Sequence, residues 1–250
     1  MWQILKNRIK QGHRTCRYPK EEPVFPERFR GRPVLKGAPV GQKDAFVVDM
    51  GNLLFNEDIK QTLPAGTLEY SADYRMAASK REDLVLSATK MADPSFGGKG
   101  NEIKLAAALD EKMKKLFGRS LKLREVCAGS CNGCDLEIQA LGNVVFDLSR
   151  FGIQFVASPR HADGLMITGP VTKNMELALQ KAYEAVPEPK IVIAVGACAI
   201  SGGPFTGSPE VKNGVEGLIP VDLFIPGCPP HPFTILDGLL RLLGRLEDQS

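Results

Sequence analysis

The sequence lacks the long apolar run that a membrane-spanning helix needs. No stretch approaches the roughly 18 consecutive apolar residues that cross a bilayer, and mean hydropathy is −0.11. The first residues, Met1-Trp2-Gln3-Ile4-Leu5-Lys6, form neither the apolar core of a secretory leader nor an Arg-Arg export pair. The expectation is a cytoplasmic chain that reaches a membrane through partners. Aromatic residues make up only 7% of the chain and no nucleic-acid-binding motif is present, so nucleic acid is not an expected partner. The glycine-rich stretch from Val195 to Gly203 lacks the lysine of a phosphate loop. No internal repeat is visible. What remains is ordinary for a soluble globular protein. The chain has 250 residues, 43% of them hydrophobic and 24% charged, enough for one large domain or two small ones.

Charge is unevenly spread and divides the chain into three. Residues 1–40 carry ten Lys and Arg against three Glu. They read as a basic arm that is either solvated or docked on an acidic subunit or an anionic membrane surface. Within it, residues 1–11 suggest a short amphipathic helix with Ile4, Leu5 and Ile9 on one face. Pro19, Pro23, Pro26, Pro33 and Pro39 suggest an extended tether rather than a packed element. Residues 41–118 are mixed. Thr67–Met76 suggests a strand or hairpin, residues 92–101 a loop, and residues 102–117 a helix stopped by Gly118. From 119 to 250 the pattern is regular. Short β-branched runs at 121–127, 153–157, 165–169, 190–196 and 221–226 alternate with helical stretches at 135–151, 171–185 and 232–246. That alternation predicts an α/β fold with a parallel sheet and helices on both faces.

Six cysteines in a cytoplasmic chain favour metal or redox chemistry over disulfides. Cys131 and Cys134 follow the first of these strands, Cys198 follows the run Ile191–Gly196, and Cys228 follows Val221–Gly227. Each therefore lies just past the carboxyl end of a parallel strand, and in an open α/β sheet those ends share one crevice. Neighbouring glycines let backbone approach a metal group and offer N–H donors. Cys228-Pro229-Pro230 prevents further strand pairing. Four thiolates suit an iron–sulfur cube and in principle zinc. Cys127 is expected to be a small buried residue of the incoming strand, and Cys16 a free thiol in the arm.

Several motifs together carry a family resemblance: Ser130-Cys131-Asn132-Gly133-Cys134-Asp135-Leu136-Glu137-Ile138, Arg150-Phe151-Gly152, Ala157-Ser158-Pro159-Arg160-His161-Ala162-Asp163, Val195-Gly196-Ala197-Cys198 and Ile225-Pro226-Gly227-Cys228-Pro229-Pro230. They resemble the small subunit of membrane-bound, energy-converting [NiFe] hydrogenases. That subunit also occurs in formate hydrogenlyase and sulfane reductase, and is related to the 20-kDa subunit of respiratory complex I. The Cys131–Cys134 spacing resembles the hydrogenase side; the complex I subunit usually has adjacent cysteines there. The resemblance implies a flavodoxin-like fold and one [4Fe-4S] cluster held by Cys131, Cys134, Cys198 and Cys228. It also implies a hydrogenase-like large subunit that holds the catalytic site, membrane subunits of the same complex, and peripheral attachment at the cytoplasmic face of the membrane. Asp135 and Glu137 would face the large subunit, with Glu137 either a proton relay or a helix-start acid stabilised by the dipole. Arg160 and His161 would lie near the subunit interface in a structural role.

The amino-terminal part resembles something else. Met1–Pro33, with Tyr18-Pro19 and Phe29-Arg30-Gly31-Arg32-Pro33, is similar to the start of the ferredoxin-type subunit that partners these hydrogenases. Val48–Leu86 is similar to that subunit's second cluster half. The four cysteine positions of that half fall on Leu53, Asn56, Ile59 and Leu63, before Pro64. The region 41–118 is therefore expected to be a degenerate ferredoxin-like α+β remnant without a cluster. The function implied is that of an electron-transfer subunit with no complete active site of its own, fed by a ferredoxin-type or other input partner. The alternative is a structural subunit whose metal site, cluster or zinc, lies off the electron path.

Overall fold

The computed structural model describes residues 2–12, 14–36, 47–56, 66–87, 104–117 and 120–246. Its centre is a five-stranded parallel sheet of β5 (Leu121–Cys127), β6 (Ile153–Phe155), β7 (Gly164–Thr168), β8 (Ile191–Val195) and β9 (Leu223–Ile225), in the order β6-β5-β7-β8-β9. This is the 2-1-3-4-5 order of flavodoxin-like folds, with its crevice where the chain reverses direction across the sheet. β7 and β8 are buried along their whole length, which explains their uninterrupted apolar sequence.

Successive side chains of a strand point to opposite faces, and the two cores of the protein follow from that alternation. Leu165, Ile167, Val192 and Ala194 face one core. Met166, Ile191, Ile193 and Val195 face the other. The first core receives Leu179 of the helix Lys173–Ala185 and a group of amino-terminal residues that includes Met50, Leu53 and Leu84. The second receives Ile138 of the helix Gly133–Ala140, Ile235 and Leu239 of the helix Pro232–Leu242, and Tyr18 of the arm.

In chain order the helices are α1 (Trp2–Gln11), α2 (Glu111–Phe117), α3 (Gly133–Ala140), α4 (Lys173–Ala185), α5 (Gly196–Ser201) and α6 (Pro232–Leu242). The amino-terminal part adds two antiparallel pairs, β1 (Pro33–Leu35) with β3 (Leu68–Tyr70), and β2 (Val47–Asp49) with β4 (Val85–Ser87). Among the described residues no helix is long and apolar enough to cross a membrane.

Several sequence expectations need correction. The arm is not a free tether. Thr15 Oγ1 donates to the Val144 carbonyl at 2.8 Å, and Arg150 donates to the carbonyls of Cys16 and Tyr18 at 2.7 and 3.0 Å. The Tyr18 hydroxyl donates to Asp237 at 3.0 Å inside the core. Proline spacing says that the arm is extended; it does not say what the arm lies on. The helix expected over 102–117 is confined to α2, because the preceding backbone bonds elsewhere: Ala106 N–H donates to the Ala77 carbonyl and Leu109 N–H to the Leu242 carbonyl. The helix expected over 135–151 stops at Ala140, where Asn143 Oδ1 accepts the N–H groups of Val145 and Phe146 and turns the chain. A 3₁₀ helix, Leu148–Phe151, follows. The loop expected at 92–101 and Gly118 lie outside the described residues.

The amino-terminal segment also seals the sheet. Ala78 and Phe224 exchange backbone hydrogen bonds at 3.0 and 2.9 Å, which covers the outer edge of β9. On the far side of the same segment, the Ser201 hydroxyl at the end of α5 donates to the Gly51 carbonyl at 2.9 Å.

Candidate metal centre

Three strand ends deliver four thiols to one place. β5 runs into a turn that presents Cys131, and Asn132, at φ +71°, starts α3, which carries Cys134. β8 runs straight into α5, which carries Cys198. β9 runs through Gly227 to Cys228, after which Pro229 and Pro230 lead to His231, whose Nδ1 accepts the Phe233 N–H at 3.1 Å and caps α6. Cys134 and Cys198 are buried, whereas Cys131 and Cys228 are exposed.

The electrostatics of the thiols show the convergence. Burial raises the Cys134 thiol well above its ordinary value, and Cys198, Cys228 and Cys131 raise it further. Burial, Cys228 and Cys131 push Cys198 up to about 11. Burial and Cys131 raise Cys228. Every pair among the four thus interacts. Four thiolates crowded at low dielectric repel one another, and a cationic metal core relieves that repulsion.

The backbone leaves room for such a core. Gly196 has φ +86°, and a Cβ there would lie 2.5 Å from Cys134 Sγ. Gly203 has φ +53°, and its Cβ would lie 3.0 Å from Cys198 Sγ. Among the described residues, no three His, Cys, Asp or Glu side chains are arranged to hold a single metal ion. Four thiolates are the donor set of an iron–sulfur cube and equally of zinc.

The ligand loop is braced from below. Asp135 is buried and accepts the hydroxyls of Ser130 and Thr168, the latter at 2.7 Å. Ser130 Oγ in turn accepts the Asn132 N–H at 3.0 Å and contacts Cys127 Sγ at 3.3 Å. Asp135 therefore points into the protein, toward Ser130 and Thr168. Cys127 is exposed at the strand end, a correction to the buried position expected for it. β5 is buried only at its start, at Leu121 and Leu123. Cys16 is half-buried, with its Sγ 3.6 Å from Arg150.

The 20-kDa subunit family of NADH ubiquinone oxidoreductase matches residues 131–242, the stretch that holds all four converging cysteines. A probable membrane-bound hydrogenase subunit, mbhJ, of Pyrococcus furiosus is 48% identical over 132 residues, covering 53% of this chain and 79% of that protein. This chain belongs to that family. Formate hydrogenlyase subunit 7 of Escherichia coli is 44% identical over 143 residues, 57% of this chain and 56% of its own length. An NADH-quinone oxidoreductase subunit of Heliobacterium modesticaldum is 47% identical over 118 residues, 47% of this chain and 67% of its own length. The family is thus one of subunits of hydrogenase and NADH-quinone oxidoreductase complexes, and the resemblance read from the motifs holds.

Other residues of this 20-kDa-family chain fall around the site unevenly. Glu137 is half-buried, its carboxyl raised above the ordinary range by burial. It lines a cavity of about 330 Å³ together with Cys228, Arg28, Phe29, Phe55 and His231. Arg160 and His161 lie on a 3₁₀ helix, Pro159–His161, that follows β6 in the chain and packs near β5 and α4, with no residue of that helix buried. Sequence reasoning missed the aromatic group beside Cys228. Phe25 and Phe29 of the arm stack at 4.0 Å and meet His231 edge-on at 5.2 and 5.6 Å. The nearest signal was a pair of phenylalanines four residues apart in a proline-rich stretch, which looks the same in a free tether. Of the four positions aligned above with the ferredoxin-type cysteines, Leu53 is buried in the sheet core, Asn56 is half-buried, and Ile59 and Leu63 lie outside the described residues.

Proposed function

We propose that this chain is an electron-transfer subunit that carries one [4Fe-4S] cluster on Cys131, Cys134, Cys198 and Cys228, next to the catalytic site of a partner large subunit in a membrane-bound hydrogenase-like or complex I-like assembly. The observation that carries the reading is that the ends of β5, β8 and β9 bring these four thiols to one edge of the sheet. Bound there, the cluster would supply one-electron transfer at a potential set by its surroundings.

The residues of the chain do the rest. Asp135, Ser130 and Thr168 hold the ligand loop in place. Gly196 and Gly203 keep the sulfurs clear of side-chain bulk. The half-buried Phe25, Phe29 and His231 rings border the exposed Cys228 and add apolar surface on that side of the site. Two buried and two exposed thiols support a group at the rim of the protein, within reach of a partner surface. Leu136, 57% exposed beside the ligands on α3, supports the large subunit as that partner, with Glu137 next to it. A membrane location held by other subunits is supported by the names of the relatives.

The amino-terminal segment 47–87 belongs to this reading as a non-conducting remnant. Buried Leu53 supports it: the space of a lost ligand is filled by apolar packing.

The test is iron and sulfide content with the reduced EPR spectrum of the chain and of Cys198→Ser and Cys228→Ser variants. Four irons and a reversible signal in the parent, lost or degraded in both variants, is the expected result. A colourless chain with one zinc, or equal iron in all three proteins, refutes the assignment.

A further inference from the structure

The arm begins with a helix that buries none of its side chains. α1 is ten residues long and all of them are exposed. Trp2, Leu5 and Ile9 are 69%, 51% and 79% exposed. They fall at i, i+3 and i+7, one stripe along the helix. Lys6 and Lys10 flank the stripe on one side and Arg8 on the other, while Gln3, Asn7, Gln11 and the exposed Ile4 form the opposite face, so Ile4 does not share the face expected for it from the sequence. Gly12, at φ +60°, ends the helix with its N–H on the Ile9 carbonyl. A helix of this length is marginal in water without tertiary packing, so its stability has to come from a surface outside the chain.

The charge says which surface. No Asp or Glu occurs before Glu21, while Lys6, Arg8, Lys10, Arg14, Arg17 and Lys20 are all cationic. A narrow apolar stripe that carries a tryptophan, bordered by long cationic side chains able to reach sideways, is the composition of a helix lying in a lipid interface. An acidic protein surface would be met by the cations but would leave Trp2, Leu5 and Ile9 unmatched.

We propose that α1 is an interfacial anchor: it lies flat in an anionic bilayer surface, with Trp2, Leu5 and Ile9 inserted and Lys6, Arg8 and Lys10 on the headgroups. The chain then contacts the membrane directly, besides any attachment through partner subunits. The proposal does not depend on the metal centre. Downstream of Gly12 the arm is fixed to the sheet domain through Thr15, Cys16 and Tyr18, so a bound α1 would hold the domain close to the lipid.

Trp2 is the only tryptophan in the chain, which makes intrinsic fluorescence a reporter of α1 alone. The experiment adds vesicles of phosphatidylcholine, with or without phosphatidylserine, to the full-length protein. It follows Trp2 emission, quenching by brominated acyl chains, and co-sedimentation. The proposal expects a blue shift and quenching with phosphatidylserine vesicles, and little of either with phosphatidylcholine alone. A cation near an anionic surface contributes about fivefold to partitioning, so Lys6→Gln/Arg8→Gln/Lys10→Gln should weaken binding about a hundredfold. Leu5→Ser/Ile9→Ser should abolish the blue shift. Neither variant alters a buried residue, so near-400-nm absorbance and the unfolding midpoint should stay as in the parent. Emission indifferent to both vesicle types overturns the proposal. So does equal binding to neutral and anionic vesicles. A blue shift produced only by lipid-free partner subunits also overturns it, in favour of a protein dock.

Discussion

Gly196→Ala tests whether the thiol site is as tightly built as its geometry implies. The added methyl would sit 2.5 Å from Cys134 Sγ and 3.4 Å from the Gly227 carbonyl. Neither neighbour is the loose end of a long side chain: Cys134 is held in α3 and Gly227 leads directly to Cys228. The backbone at Gly196, φ +86°, also disfavours any residue with a Cβ. The left-handed conformation costs about 1–2 kcal/mol and the overpacking about 1–3, for a total of about 2–5 kcal/mol. Gly217 provides the control. Its φ is +91° and a Cβ there meets nothing within 4 Å, so Gly217→Ala carries the backbone cost alone. With a urea slope of about 3 kcal/mol per M, Gly196→Ala should move the midpoint down by about 1 M and Gly217→Ala by less than half of that. Iron content and absorbance near 400 nm should fall in Gly196→Ala and hold in Gly217→Ala. If the two variants match in both midpoint and iron content, the close approach of Gly196 to Cys134 has no bearing on the site, and the reasoning fails.

Three further outcomes are expected. Cys16→Ser and Cys127→Ser should leave the iron content unchanged, because Cys16 Sγ lies at Arg150 beside the arm and Cys127 Sγ at Ser130 Oγ; loss of iron in Cys127→Ser would move the ligand set. Tyr18→Phe removes the hydroxyl that donates to buried Asp237, which also pairs with Arg241 at 2.9 Å. One unsatisfied carboxylate oxygen costs about 1–3 kcal/mol, and limited trypsin digestion should reveal faster cleavage after Arg17 and Lys20 than in the parent. Glu125 is raised to about 7 by burial and by the neighbouring Asp135 carboxyl. Its folded form holds a proton that the unfolded form has released, so stability should decline as pH rises from about 4.5 to about 7. Glu125→Gln should flatten that decline in urea midpoints measured across the window; an unchanged slope would mean that Glu125 is ionised throughout.

The sheet was legible in the sequence because parallel strands buried on both faces leave a strong trace. Ile191–Val195 and Gly164–Thr168 could hardly be anything else. The convergence of the cysteines was legible for a related reason: strand ends of one sheet share an edge, so residues far apart in sequence meet. What the sequence hid were interactions carried by backbone. Residues 104–110 have helical spacing, yet the N–H groups of Ala106 and Leu109 are taken by Ala77 and Leu242. Residues 14–36 have the composition of a tether, yet one buried tyrosine and the carbonyls that Arg150 grips make them part of the core. Local pattern cannot announce a partner a hundred residues away. The burial of Asp135 was hidden in the same way, since an acid beside a ligand motif looks identical whether it faces out or in.

The contact between the amino-terminal segment and the sheet has a consequence for assembly. Residues 51, 76 and 78 occupy the outer edge of β9 and the end of α5, and they are joined to the cysteine-bearing domain by the chain itself. That ground is therefore taken at a fixed ratio of one to one and cannot be vacated by dissociation. A separate protein has to approach from another side, so which surfaces of this subunit stay open to others is decided by a peptide bond rather than by competition among soluble partners.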